Sequence, residues 1–129
     1  MEHLKSFEEL KCWQEAVLLR KSLKSFLESL PKFEEYRLKD QIIRCLRSVT
    51  NNIAEGYGRF NYQENIQFCR ISRGSLFEII DHLLVAAEEN YIEEKDLLIK
   101  KEHINKCLAL LNGYINYLKK AKMANKEKS

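Results

Sequence analysis

Histidine, cysteine and carboxylate side chains are what a helical protein most readily uses to build a metal or catalytic site, and this sequence has three histidines and four cysteines. A di-iron centre in a helical bundle needs a Glu-x-x-His step on two helices and two further carboxylates. Ile79 lies three residues before His82 and Lys100 three before His103, while His3 precedes the first helical pattern, so the spacing does not fit. Cys12, Cys45, Cys69 and Cys107 are widely separated and contain no Cys-x-x-Cys step. One cysteine per helix invites a four-thiolate site. The apolar neighbours of Cys45 and Cys69 favour small buried hydrophobes instead. Nucleophilic catalysis needs a serine or cysteine beside an oriented base, and no local pattern supplies one. Phosphate-binding and dinucleotide-binding glycine loops are absent from the sequence. The expectation is a non-enzymatic protein with no catalytic residue, no metal and no cofactor.

The arginines form a second constellation. Arg44 and Arg47 are i, i+3 neighbours, as are Arg70 and Arg73, and Arg59 lies between the two pairs. A guanidinium fork suits phosphate or carboxylate. With Lys119, Lys120 and Lys122 they form a candidate phosphate-backbone footprint for RNA or DNA. The alternative is ion pairing with Glu55, Glu64, Glu78 and Asp81, within the chain or across a subunit contact. Base-specific recognition is not indicated, since no recognition motif is present.

These residues must be positioned by helices. The chain has 129 residues, one proline and four glycines, which fits a single domain with little turn chemistry. Apolar residues recur every three or four positions over about 6–30, 36–57, 62–90 and 94–121. Ser6 and Glu9 make a capping-box pattern, Pro31 stops the first helix, Gly56 and Gly58 mark the end of the second, and Asn61 with Glu64 starts the third. Short connections make successive helices antiparallel. The fold class is therefore all-α, an up-down-up-down four-helix bundle, with a disordered basic tail at about 122–129. Gly74 and Ser75 fall inside the third helix, where close approach of a neighbouring helix or a mild bend would explain the glycine. No run approaches the roughly 20 apolar residues of a membrane span, and charges run throughout residues 1–30. Reduced cysteines and a cytoplasmic location are the matching expectations.

Charge is uneven along the chain. Residues 119–129 carry a net +4, residues 36–77 a net +4 and residues 78–102 a net −5. In the up-down topology the connection between helices two and three shares one end with the C-terminal tail. That end should be basic and the opposite end acidic.

The run Ser48-Val49-Thr50-Asn51-Asn52-Ile53-Ala54-Glu55-Gly56-Tyr57-Gly58-Arg59, continued by Glu64, Phe68, Ile71, Gly74-Ser75-Leu76 and Glu78, resembles the signature of a bacterial four-helix-bundle family. That family comprises proteins encoded in intervening sequences of 23S ribosomal RNA genes. Upstream the likeness takes in Phe7, Leu10, Trp13, Pro31, Glu34, Tyr36, Leu38 and Gln41. Three positions depart from it: Thr50 where proline is common, Asn65 where an aromatic or apolar residue is, and Ser72 where alanine is. Of these, Asn65 would alter a subunit contact. The resemblance implies a homopentameric ring. Through a related branch, the accessory proteins of diversity-generating retroelements, it also implies a reverse transcriptase and nucleic acid as partners. Asn52, Glu55, Gly56, Gly74, Ser75 and Glu78 read as a folding and assembly signature more economically than as an active site.

Overall fold

The structure, a computed structural model, describes residues 6–128, with side-chain placement through Asn125; His3 and Ser129 lie outside the described residues. Among the described residues there are five α-helices: α1 (Lys11–Ser22), α2 (Lys24–Ser29), α3 (Leu38–Gly58), α4 (Tyr62–Glu88) and α5 (Glu94–Lys128). The first two are one helical arm of the bundle with a local break at Leu23. Its backbone stays near-helical, and the ladder continues on either side through Leu23 N to Leu19 O at 3.1 Å and Leu27 N to Leu23 O at 3.0 Å. The described residues thus form an all-α four-helix bundle.

The arm begins later than the capping box suggests. The Ser6 hydroxyl accepts from Glu8 N, not from Glu9, and caps a short 3₁₀ turn over Phe7–Glu9; α1 starts only at Lys11. Phe7 folds back edge-on against Trp13, with ring centroids 5.3 Å apart. Pro31 ends the arm as anticipated by forcing Leu30 extended, with ψ at 146°.

Between α3 and α4 the chain reverses through Phe60 at φ 54°, not through a glycine, and the Asn61 side chain caps α4 by accepting from Glu64 N at 2.9 Å. A non-glycine residue in the left-handed region costs roughly 1–2 kcal/mol. Between α4 and α5, Asn90 takes the same region and Tyr91 N reaches Ala86 O at 2.8 Å, the closing bond of a Schellman end. The basic tail is helical, not disordered: α5 runs to Lys128, because Lys, Ala, Met and Glu favour helix and nothing after Gly113 interrupts it.

Helices α3 and α4 run antiparallel. Along α3 and α4, Gly56 faces Asn65, Val49 faces Ser72, Ser48 faces Ser75 and Cys45 faces Glu78. α1 packs against both α3 and α5, and α4 packs against α5, which closes the bundle. Leu19, Leu23, Ile42, Ile53, Leu76, Ile79, Leu83, Ile104 and Leu111 form its solvent-free centre.

Thr50, Asn65 and Ser72, the three departures from the family pattern, are the buried polar residues of this core among those described. Each has a partner: Arg20 donates to the Thr50 hydroxyl at 2.9 Å, Ser72 donates to Val49 O at 2.8 Å, and the Asn65 amide donates to the Tyr114 hydroxyl at 2.9 Å. Asn65 is therefore an internal core residue and not a surface contact.

Two glycines behave oppositely. A Cβ on Gly56 would sit 2.6 Å from Asn65 Oδ1, 3.0 Å from Phe68 Cβ and 3.1 Å from Asn65 O. A Cβ on Gly74 would meet nothing within 4 Å, so the close approach expected there is made at Gly56 instead. Gly74→Ala should stabilise the isolated chain by about 0.5–1 kcal/mol through helix propensity alone. Gly56→Ala should destabilise it by about 1–3 kcal/mol, because backbone and Phe68 Cβ cannot swing away. Urea denaturation of the two variants checks this; equal shifts of the same sign would refute the assignment of Gly56 as the helix-crossing contact.

Candidate functional site

The arginines singled out by spacing do not converge. Arg44 bonds its own helix through Asp40 at 2.8 Å. Arg59 lies over the Phe68 ring at 5.0 Å, with Glu55 at 3.6 Å. Arg73 reaches α5 and donates to Asn112 Oδ1 at 2.9 Å, and Arg70 is exposed on α4. Arg44 is 14 residues from the end of α3, about 21 Å along the axis at 1.5 Å per residue, so it cannot share an end site with Arg59. That end holds Arg59, exposed Lys119 and Lys120, and Lys122, whose ammonium donates to Gln63 Oε1 on the first turn of α4.

A denser basic surface lies elsewhere, in the groove between the first arm and α3. One stretch of about 350 Å³ is lined by Arg20, Lys21, Lys24, Lys39 and Arg47, with Glu28 as the opposing acid and Leu27, Ile43 and Leu46 as its floor. Arg20 and Arg47 also border the next stretch, with Phe7, Trp13, Thr50, Asn51 and Ala54. Helix geometry explains the grouping: Arg20 and Lys24 are one turn apart on one face, and Arg47 comes from the facing helix. The Arg20 guanidinium is fixed by Thr50, whose own hydroxyl donates to Arg47 O at 3.2 Å. Lys39 is shared with Glu35 at 3.0 Å. Of this set only Arg47 stands out in the sequence, because the others gain their meaning from α1 lying against α3.

The signature residues gather along the opposite edge of α3. Asn52 donates to Ser48 O at 2.8 Å and to the Ser48 hydroxyl at 3.0 Å, and Ser48 and Ser75 share a hydrogen bond of 2.8 Å. Beyond them Cys45 Sγ donates to Glu78 Oε2 at 2.9 Å, and His82 Nε2 lies 3.6 Å from the same oxygen. Glu55 pairs with Arg59 at the other end of this seam. Gly56 makes the helix crossing beneath it, while Gly74 lies open on the outer side of α4.

A third arrangement links α1 to α5. His103 Nε2 is 2.7 Å from Glu15 Oε2, Lys106 Nζ is 3.3 Å from Glu15 Oε1, and His103 Nδ1 is 3.4 Å from the Ser22 hydroxyl. It has the order of a serine–histidine–carboxylate relay, assembled from two helices and hence invisible to local spacing. The Ser22 hydrogen, however, is donated to Leu19 O at 2.7 Å, which leaves the hydroxyl as the acceptor toward His103. We read it as an interhelical latch.

The described residues form a small all-helical bundle with a basic groove between the first arm and α3 and a polar seam between α3 and α4. Residues 8–113 match the family model described as 23S rRNA-intervening sequence protein, and the chain belongs to that family. A comparison with curated proteins found no match. No helix among the described residues is long and apolar enough to cross a membrane.

The latch carries a pH dependence. Burial works against the Glu15 charge, but hydrogen bonds from His103 and Lys106 outweigh it and hold the carboxyl below its usual range. A carboxyl depressed in the folded state contributes stability above its unfolded pKa, and that contribution disappears as pH falls through the folded value. Glu15→Gln should therefore flatten the loss of stability below about pH 4.5, while leaving the chain weaker near neutrality. Thermal unfolding of both proteins across acidic pH reads this directly; parallel curves would exclude the latch.

Proposed function

We propose that this protein is a non-enzymatic, self-associating cytoplasmic bundle that binds RNA or DNA without sequence preference through phosphate contacts in the α1–α3 groove. The observation that carries the reading is the set Arg20, Lys21, Lys24, Lys39 and Arg47 lining one groove against Glu28. Phosphate contacts of this kind supply affinity through counterion release and carry no base information. The basic end, with Arg59, Lys119, Lys120 and Lys122, is the weaker surface, because Arg59 and Lys122 already have partners within the chain. Four buried free thiols accord with a reducing compartment.

Self-association is supported by the outer side of α4. Ile71 and Phe77 are 52% and 57% exposed and flank Gly74, where a facing backbone could approach closely. Large apolar residues left open around a small one suit a helix-to-helix contact. The resemblance of the signature suggests a pentamer. The competing reading, an adaptor for a polymerase-type protein such as a reverse transcriptase, would place the same strip against another chain.

Lys24→Glu with Arg47→Glu should abolish salt-sensitive retention of RNA and DNA oligonucleotides, and each single change should lower the salt slope by about 1. Lys119→Glu with Lys120→Glu should leave most of the affinity. Fluorescence anisotropy over a salt series measures both, and wild-type protein that fails to bind at low salt would sink the proposal.

Phe77→Glu should reduce the native mass to that of one chain without unfolding it, since Phe77 lies outside the core. Native mass spectrometry of wild type and variant decides. A monomeric wild type would remove self-association and leave the adaptor reading.

A further inference from the structure

Cys45 on α3 and Glu78 and His82 on α4 bring a thiol, a carboxylate and an imidazole together, with one donor atom from each lying within 4.8 Å of the others. Glu78 and His82 are i, i+4 and so share a face of α4, and the antiparallel register delivers Cys45 to the same point. The cluster holds one feature that hydrogen bonding within the chain does not resolve. His82 Nε2 is buried and has no hydrogen-bond partner among the described residues, although it faces Glu78 Oε2 at 3.6 Å. A buried imidazole nitrogen without a partner costs free energy unless something binds it.

We propose that Cys45 Sγ, a Glu78 carboxylate oxygen and His82 Nε2 bind one divalent transition-metal ion, of which Zn²⁺ is the best fit. Thiolate, imidazole and carboxylate are the ligand set of zinc, at about 2.3, 2.0–2.1 and 2.0–2.2 Å. Around a tetrahedral ion at those lengths, donor atoms stand roughly 3.3–3.6 Å apart. Against the observed limit of 4.8 Å this asks for a contraction of up to about 1.2–1.5 Å, while the Cys45–Glu78 pair at 2.9 Å must open by roughly 0.6 Å. One thiolate and one carboxylate also neutralise the ion's two charges. Glu78 is the exposed member of the set, so the fourth position opens to solvent for water or an added ligand. Such an ion would clamp α3 to α4 beside the Ser48–Ser75 bond.

Proton balance is part of the proposal. Without metal, burial and the adjacent Glu78 carboxylate push the Cys45 thiol up to about 12, so it is protonated at neutral pH. Binding forms the metal–sulfur bond and transfers that thiol proton to buffer. The thiol proton displaced from Cys45 is the one proton expected to be released per ion.

The test uses the full chain stripped of metal and titrated with Co²⁺, then with Zn²⁺. A one-to-one complex should show thiolate-to-cobalt charge transfer in the near ultraviolet and the intense visible bands of a tetrahedral ion, both displaced by Zn²⁺. Calorimetry in buffers of different ionisation enthalpy should give about one proton released. Cys45→Ala should abolish the charge-transfer band, and His82→Gln should weaken binding more than about tenfold. Cys107→Ala, in the core away from the cluster, should bind as wild type. Circular dichroism of each variant confirms that it is folded. Absence of the band in wild-type protein, or its persistence in folded Cys45→Ala, overturns the proposal.

Discussion

Gly56 leaves only a hydrogen atom between the α3 backbone and the Asn65 backbone and Phe68 Cβ of α4, and this crossing sets the geometry of the rest of the pair. Two helices pinned at one point have few ways to continue, because ridges must enter grooves all along the contact. From Gly56 with Asn65, the register proceeds through Val49 with Ser72 and Ser48 with Ser75 to Cys45 with Glu78. A side chain at Gly56 would displace Asn65, and with it the hydrogen bond to Tyr114 that ties α4 to α5. The crossing therefore governs two interfaces. Burial pushes the Tyr114 hydroxyl well above its ordinary range, so it stays protonated throughout the physiological range.

The core is otherwise apolar, and apolar packing alone discriminates poorly among helix registers. Its buried polar residues supply direction, one at each of three interfaces. Thr50 joins α3 to Arg20 of α1, Ser72 joins α4 to the α3 backbone, and Asn65 joins α4 to Tyr114 of α5. Each bond contributes only about 1 kcal/mol net, but a shifted register would strand both partners at about 1–3 kcal/mol apiece. Thr50 has a further consequence. By holding Arg20 across the boundary between α1 and α3, it fixes a cation that belongs to both stretches of the basic groove.

The sequence carries the helices plainly, because apolar side chains recur at helical spacing in every arm, most sharply in α3, and Pro31 and Asn61 punctuate it. It is misleading where backbone conformation departs from residue stereotype. Gly56 and Gly58 do fall at the end of α3, but the left-handed residue of the reversal is Phe60, and α5 continues helical to Lys128 because nothing stops it. The surfaces are legible only in part. Spacing finds pairs within a helix, such as Arg44 with Arg47, but says nothing of whether the partner helix brings acids or bases to them. Arg20, Lys21 and Lys24 are ordinary solvated residues until α1 is laid against α3. Glu78 and His82 are visible as an i, i+4 step, but only the fold supplies Cys45. The Glu15–His103 contact spans 88 residues and has no local trace at all.

α3 is the element on which these surfaces meet, and its amphipathic geometry keeps them apart. Ile42, Leu46, Val49 and Ile53 face the core. Ile43, Arg47 and Thr50 border the groove against α1, whereas Cys45, Ser48 and Asn52 belong to the seam against α4. Residues two apart on a helix point about 200° away from each other, so Cys45 and Arg47 lie on opposite flanks despite their closeness in sequence. A charge change in the groove therefore need not disturb the seam, and a ligand in the seam need not touch the groove. What couples them is the rigid body of α3 itself, held at Gly56 on one flank and at Thr50 on the other. A displacement of α3 toward α4 would loosen the Arg20–Thr50 contact, so the tightness of the seam bears on the shape of the basic groove across a single helix diameter.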